Sequence, residues 1–191
     1  MEKVANSFDG LTKSDPATGA ALAEVRSAVS PRALEFEADT GRRTHSEGRP
    51  IVTAEDLKKL NDHFYEEVFR RRHVEAIDEL LTDDFVEHTP APGQGTNRQA
   101  AKDFIGTMLQ AFPDLDFTID QQIAEGDTVA AVATMTGTHR SDFMGVPATG
   151  RRVNVQVMDT ARVRSGRFSE HWGLVDLPAL MDQLGVPAPM R

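Results

Sequence analysis

Apolar and polar residues alternate along the C-terminal half of the chain in the rhythm of strands. Between Gly126 and Asp176 three stretches are rich in β-formers: Thr128–Thr138, Arg152–Arg164 and Arg167–Val175. Gly145, Pro147 and Gly150 break the first gap and Ser165-Gly166 the second, which is the punctuation of an antiparallel meander. Asp116–Glu125 reads as one more strand before them, with Phe117, Ile119, Gln121 and Ile123 on one side and a Glu125-Gly126-Asp127 turn at its end. In the long Arg152–Arg164 strand, Val153, Val155 and Val157 share one face; Asn154, Gln156, Met158 and Thr160 share the other. Such a strand packs one face on a partner layer and turns the other to something polar.

Upstream the apolar spacing changes to threes and fours. Thr53 with Asp56 is close to a capping box, and Leu57, Leu60, Phe64, Val68 and Phe69 then mark one face of a helix running to about Arg72. A short second helix takes Val74, Ile77, Leu80 and Leu81, and Asp83–His88 reads as a first short strand. Pro90, Pro92, Gly93 and Gly95 make a loop. Asn97 caps a third helix over Arg98–Phe112, stopped by Pro113. A last helical turn covers Pro178–Leu184. Helices first and a meander afterwards predict an α+β layer fold, with the helices on one face of an antiparallel sheet. Residues 1–52 read differently. They are rich in Ala, Ser, Gly, Pro and charge, and predict an N-terminal extension, with a helix near Ala17–Ala28 and a linker over Asp39–Pro50, ahead of a domain at 53–191.

Several stretches carry a family likeness. Gly137-Thr138-His139, the run from Phe143 to Arg151, Gly166–Trp172 and Asp176 resemble the SnoaL-like polyketide cyclases, also called ester cyclases, of the NTF2-like superfamily. Phe85–Pro90, Ala111–Leu115 and Asp182-Gln183-Leu184-Gly185 are similar to the same family, so the likeness spans roughly residues 55–187, one domain's worth. It implies a cone: a strongly curved antiparallel sheet wrapped over about three helices, with an apolar interior. It also implies cofactor-free acid/base chemistry by an aspartate on a hydrophobic small molecule, and a two-fold homodimer paired sheet to sheet.

Composition narrows the classes. With no cysteine among 191 residues, disulfides, thiolate metal sites and cysteine nucleophiles are excluded. A net charge of −9 disfavours a nucleic-acid partner. No apolar signal core or membrane-spanning run is present, so no membrane partner is expected and the expected compartment is the cytoplasm. No Gly-rich phosphate loop follows a strand, and no Gly-x-Ser-x-Gly elbow occurs. No cofactor is expected. A metal site would need His88, His139 and His171 to converge without any spaced ligand motif, and none is expected.

Among candidate catalytic residues Asp176 leads. It ends the apolar run Trp172–Val175 and precedes Leu177-Pro178, so it is either the cap of the last helix or a base in an apolar cavity, and the two are compatible. The family's acid/base aspartate is carried onto Asp176 by its place after Glu170-x-Trp172. His171 is the alternative, and His88 a candidate donor. Candidate substrate contacts are Gln156 and Met158 on the long strand, His139 and Trp172 at strand ends, Phe143 and Met144 in the Gly/Pro-rich loop, and Phe64 and Tyr65 on the first helix. The reaction the likeness favours is intramolecular aldol closure of a polyketide ester. Epoxide opening, cofactor-independent hydroxylation, or a non-catalytic binding or dimerisation module are the alternatives. The deciding feature is whether a carboxylate points into the cavity.

Overall fold

The computed structural model describes residues 52–186. The expectations for the N-terminal extension, its Ala17–Ala28 helix included, lie outside the described residues. Helix α1, Ala54–Phe64, opens on the expected capping box: Asp56 N–H donates to Thr53 Oγ1 at 3.2 Å and Thr53 N–H to Asp56 Oδ2 at 3.0 Å. It runs into a π-helical turn, Tyr65–Arg70, where Arg71 N–H reaches back to Glu66 O. A 3₁₀ turn at Val74–Ala76 leads into the short α2, Ile77–Leu80. Strand β1 (Leu81–Glu87) and helix α3 (Arg98–Ala111, capped by Asn97) follow. Then come β2 (Asp116–Glu125), β3 (Thr128–Thr138), β4 (Arg152–Arg164), β5 (Arg167–Val175) and α4 (Leu177–Leu184).

The sheet order is β1-β5-β4-β3-β2. The meander strands pair antiparallel, but β1 pairs with β5 in parallel, so the sheet is mixed rather than wholly antiparallel. Parallel pairing needs a long connection between partners, and here the whole of α3 and the meander supplies it.

The helices cover one face of the curved sheet. Val153, Val155 and Val157, together with Val129, Ala133 and Met135, are buried beneath them. Phe64 and Tyr65 of the first helical segment meet Phe168 and Phe117 of the sheet edge-on, and Phe69 meets Phe117 at a tilt, ring centroids 4.5–5.6 Å apart. Burying one such ring contributes about 2 kcal/mol, against less than about 1 kcal/mol for a surface ion pair. The aromatic seam, not the surface charge, therefore holds helix to sheet. At the end where β5 stops, α4 takes over the covering, burying Leu180, Met181 and Leu184. Gln183 docks it by pairing its amide with the backbone of Asn154, at 2.7 and 2.9 Å.

Two β-bulges reset which side chains face inward. On β2 the register shifts between Ile119 and Gln121, so Asp120 is the extra residue. Phe117 is buried, whereas Ile123, expected on the same side, is 63% exposed. On β5, Glu170 pairs with Arg162 and Phe168 with Val163, which leaves Ser169 as the extra residue, its Oγ donating to Arg162 O. Strict alternation would send Glu170 and Trp172 inward with Phe168. The bulge sends His171 inward instead.

Candidate active site

The helix-covered face encloses a cavity of about 450 Å³. Its wall is mostly apolar, with Phe64, Phe69, Phe104, Met108, Phe117 and Phe168 among the lining residues. Its ionisable groups gather on one side. Asp159, on β4, shares the inward parity of Val153, Val155 and Val157. Tyr65, whose ring is buried by the aromatic seam, donates its hydroxyl to Asp159 Oδ2. His171 Nε2 lies 3.4 Å from Asp159 Oδ1, and its Nδ1 donates to Glu87 Oε2 at 2.6 Å. Glu87 is itself buried at the end of β1, where Thr89 donates to its Oε1 through both backbone N–H (2.9 Å) and hydroxyl (3.1 Å). Gly173 N–H donates to Thr89 Oγ1 and closes the chain of contacts. The order is Tyr65–Asp159–His171–Glu87–Thr89.

Protonation follows from these contacts. Burial alone would push His171 down, but its hydrogen bonds to Asp159 and Glu87 and the two negative charges outweigh it and hold the imidazole up at about 9. It is an imidazolium at neutral pH. Burial works to raise Glu87, yet the imidazolium and the two Thr89 donors win and lower it. The Tyr65 hydroxyl is pushed well above its ordinary value, chiefly by burial and then by the Asp159 charge. It stays a proton donor.

Five of the expected site residues line this cavity: His171, Phe64, Tyr65, Phe143 and Met144. Phe143 and Met144 are held there by a two-residue turn, with reciprocal backbone hydrogen bonds between Phe143 and Val146 and positive φ at Met144 and Gly145. The other six lie elsewhere. Asp176 is exposed and caps α4, its Oδ1 accepting from Ala179 N–H at 3.0 Å. Gln156 and Met158 are exposed on the outer face of β4, since the valine parity, not theirs, is the inward one. The β5 bulge places Trp172 on that outer side too, where His88 stacks on it at 4.2 Å and donates to Glu170 at 2.8 Å. His139 is fully buried against Phe112, away from the cavity lining. Thr149 N–H donates to its Nδ1 at 3.3 Å. Burial lowers its pKa, so it stays neutral.

A family model for the SnoaL-like polyketide cyclases matches residues 59–184. The chain belongs to that family. Among solved structures, TsrD from Streptomyces laurentii superposes with a TM-score of 0.64 at 27% identity, covering 71% of this chain and 98% of its own. AclR from Streptomyces galilaeus gives 0.63 at 28%, covering 70% and 98%. IdmH from Streptomyces antibioticus gives 0.59 at 31%, covering 68% and 98%. A comparison with curated proteins finds no match.

In this SnoaL-like chain the residues that sequence reasoning passed over are Asp159, Glu87, Thr89 and Asn61, all of which line the cavity. Two left a readable trace. Asp159 interrupts the inward apolar series Val153, Val155, Val157, Ala161, and Glu87 follows Phe85 at the inward spacing of β1. A carboxylate in phase with a buried stripe is costly unless it is paired. Here both are paired, and through the same histidine. Among the described residues no cluster of side chains has the makings of a metal site, and no helix is long and apolar enough to cross a membrane.

Proposed function

We propose that this protein is an acid/base enzyme that closes a ring in a hydrophobic polyketide ester by intramolecular aldol addition, with Asp159 as the proton acceptor. The observation that carries this reading is one carboxylate inside an apolar cavity, held between the Tyr65 hydroxyl and the His171 imidazolium. Membership of the SnoaL-like polyketide cyclases supports the reaction class. The acid/base role that the family likeness suggests for Asp176 passes to Asp159, because Asp176 caps a helix on the exposed side.

Asp159 takes a proton from a carbon flanked by carbonyls, and the substrate's conjugation spreads the resulting negative charge. The His171 imidazolium and the Tyr65 hydroxyl supply preorganised positive potential beside that charge, where a low-dielectric wall makes it count most. The enolate carbon then attacks the acceptor carbonyl of the same molecule and forms the new C–C bond. The alkoxide left on the acceptor takes back the proton that Asp159 had removed. Nothing is consumed, and the product is an isomer of the substrate. Glu87 never meets substrate in this scheme. It holds His171 charged and fixes its tilt.

The test is ring closure of a synthetic aryl 1,3-dicarbonyl ester carrying a ketone placed for six-membered closure. Wild-type protein should yield an isomer of unchanged mass with a new carbinol carbon. Asp159→Asn, which keeps the shape and removes the base, should lower the rate by about 10²–10⁴-fold. Equal rates in the two proteins would remove Asp159 from the chemistry.

A further inference from the structure

One polar side chain of the cavity wall takes no part in the chain of contacts from Tyr65 to Thr89 and does not brace a loop. Asn61 is 7% exposed, lines the cavity, and stands one helical turn before Tyr65 on α1. Its one side-chain hydrogen bond among the described residues runs from Nδ2 to Gln122 Oε1, at 3.2 Å. An amide carries two N–H donors and an acceptor oxygen, so one donor and Oδ1 are left over. Gln122 in turn is held by Asp62, donating Nε2–H to Asp62 Oδ1 at 2.9 Å. That outer bond fixes which way Gln122 points its oxygen, and hence which way Asn61 points its own.

The β2 bulge is what makes this possible. By turning Ile123 outward it turns Gln122 inward. Gln122 pairs with Ala131, and Ala131 with Asp159, so the two polar anchors sit on one transverse row of the sheet, two strands apart, or about 10 Å between backbones. The residue between them, Ala131, is small. The cavity wall therefore carries a carboxylate at Asp159 and a neutral, hydrogen-bonding amide at Asn61, braced from opposite ends of that row, in an otherwise mostly apolar lining.

We infer that Asn61 is a specificity-determining residue that binds a second oxygen of the substrate, a hydroxyl or carbonyl on the far side of the ring system from the enolisable carbon. The substrate class is then a flat, neutral ring compound with an enolisable ketone at one end and one hydrogen-bonding oxygen at the other. This rests on the reading of Asp159 as the base for its assignment of ends, but the binding preference it predicts does not need turnover. Leaving a buried amide unpaired costs more than the bond is worth on balance, so discrimination arises chiefly against ligands that lack the second oxygen.

Two ketones of one skeleton test it: 1-tetralone and 6-hydroxy-1-tetralone, titrated against the full chain by NMR. Wild-type protein should bind the hydroxy ketone tighter by about fivefold, the worth of one net neutral hydrogen bond. Asn61→Leu should bind both alike, while Asp159→Asn should keep the wild-type preference. In the wild-type chain itself, the Asn61 side-chain amide signals should move with the hydroxy ketone and stay in place with 1-tetralone, an observation that does not depend on the variant folding. A preference undiminished in Asn61→Leu, or Asn61 amide signals indifferent to the hydroxyl, would overturn the inference. Failure of Asp159 as base would look different: α-proton exchange unaffected in Asp159→Asn, with the hydroxyl preference still tied to Asn61.

Discussion

His171 reaches Asp159, Nε2 to Oδ1 at 3.4 Å, through space that exists only because the residue paired with Asp159 on β5 is Gly173. A Cβ there would stand 2.8 Å from His171 Cε1 and 3.0 Å from Asp159 Oδ1. Gly173→Ala should therefore push the imidazole off the carboxylate while leaving the sheet intact. Displacements of this size at a reacting group cost roughly a hundredfold in rate. The measurement is turnover alongside the far-UV circular dichroism spectrum. Full activity with an unchanged fold would mean that the two side chains need not touch.

The two inward histidines should titrate on opposite sides of the ordinary value near 6.5. His171, held up at about 9, contributes stability that is fully present below about pH 6.5 and is lost as pH rises through about 9. His139, lowered by burial, behaves the other way. The unfolded chain protonates it first, so its contribution is present above about pH 6.5 and is lost as pH falls below that value. Imidazole Cε1–H titration by NMR checks both. A His171 midpoint at or below 6.5 would contradict the ion pair with Glu87.

The outer face of the sheet carries apolar residues that no other element among the described residues covers. Ile123 is 63% and Met158 54% exposed, and Ala130 and Val132 lie between them across β3. We propose that this face pairs with a second copy about a two-fold axis. Val153, Val155 and Val157 are buried under the helices and take no part in such a pairing, which leaves the outer side around Ala130, Val132 and Thr134. Met158→Glu combined with Ile123→Glu should turn a dimer into a folded monomer in sedimentation at tens of micromolar, roughly the range suited to a specific interface. A wild-type monomer at that concentration would sink the proposal.

Much of the fold was legible because local chemistry and global pattern agree. The Thr53 capping box, the Asn97 cap and the Ser165-Gly166 hairpin each mark an element end that the structure keeps. The site was less legible, for a definable reason. Assigning strand faces by counting assumes unbroken alternation, and both β2 and β5 carry a bulge that no turn residue announces. Counting from Phe168 puts Trp172 inside and His171 outside, the reverse of what the Ser169 bulge produces. On β4, which has no bulge in its apolar half, the difficulty was choosing which face was the interior. The valines were that face, and Asp159, in phase with them, carries its carboxylate into the cavity wall. Deleting Ser169 removes only the extra residue and keeps Phe168, Glu170 and His171 opposite Val163, Arg162 and Ala161, so His171 should stay inward and activity should survive in a chain with an unchanged circular dichroism spectrum. Loss of activity with the sheet intact would show that the bulge does more than set the phase of the histidine.

The central claim is that Asp159, and not Asp176, removes a proton from carbon. The direct measurement needs no natural substrate: exchange of the C2 protons of 1-tetralone for deuterium in D₂O, followed by NMR with equal amounts of wild type, Asp159→Asn and Asp176→Asn. The account predicts acceleration by wild type, a loss of about a hundredfold or more in Asp159→Asn, and near wild-type exchange in Asp176→Asn, whose amide oxygen still caps α4. Exchange that survives in Asp159→Asn, or that vanishes in Asp176→Asn with the fold intact, would contradict it.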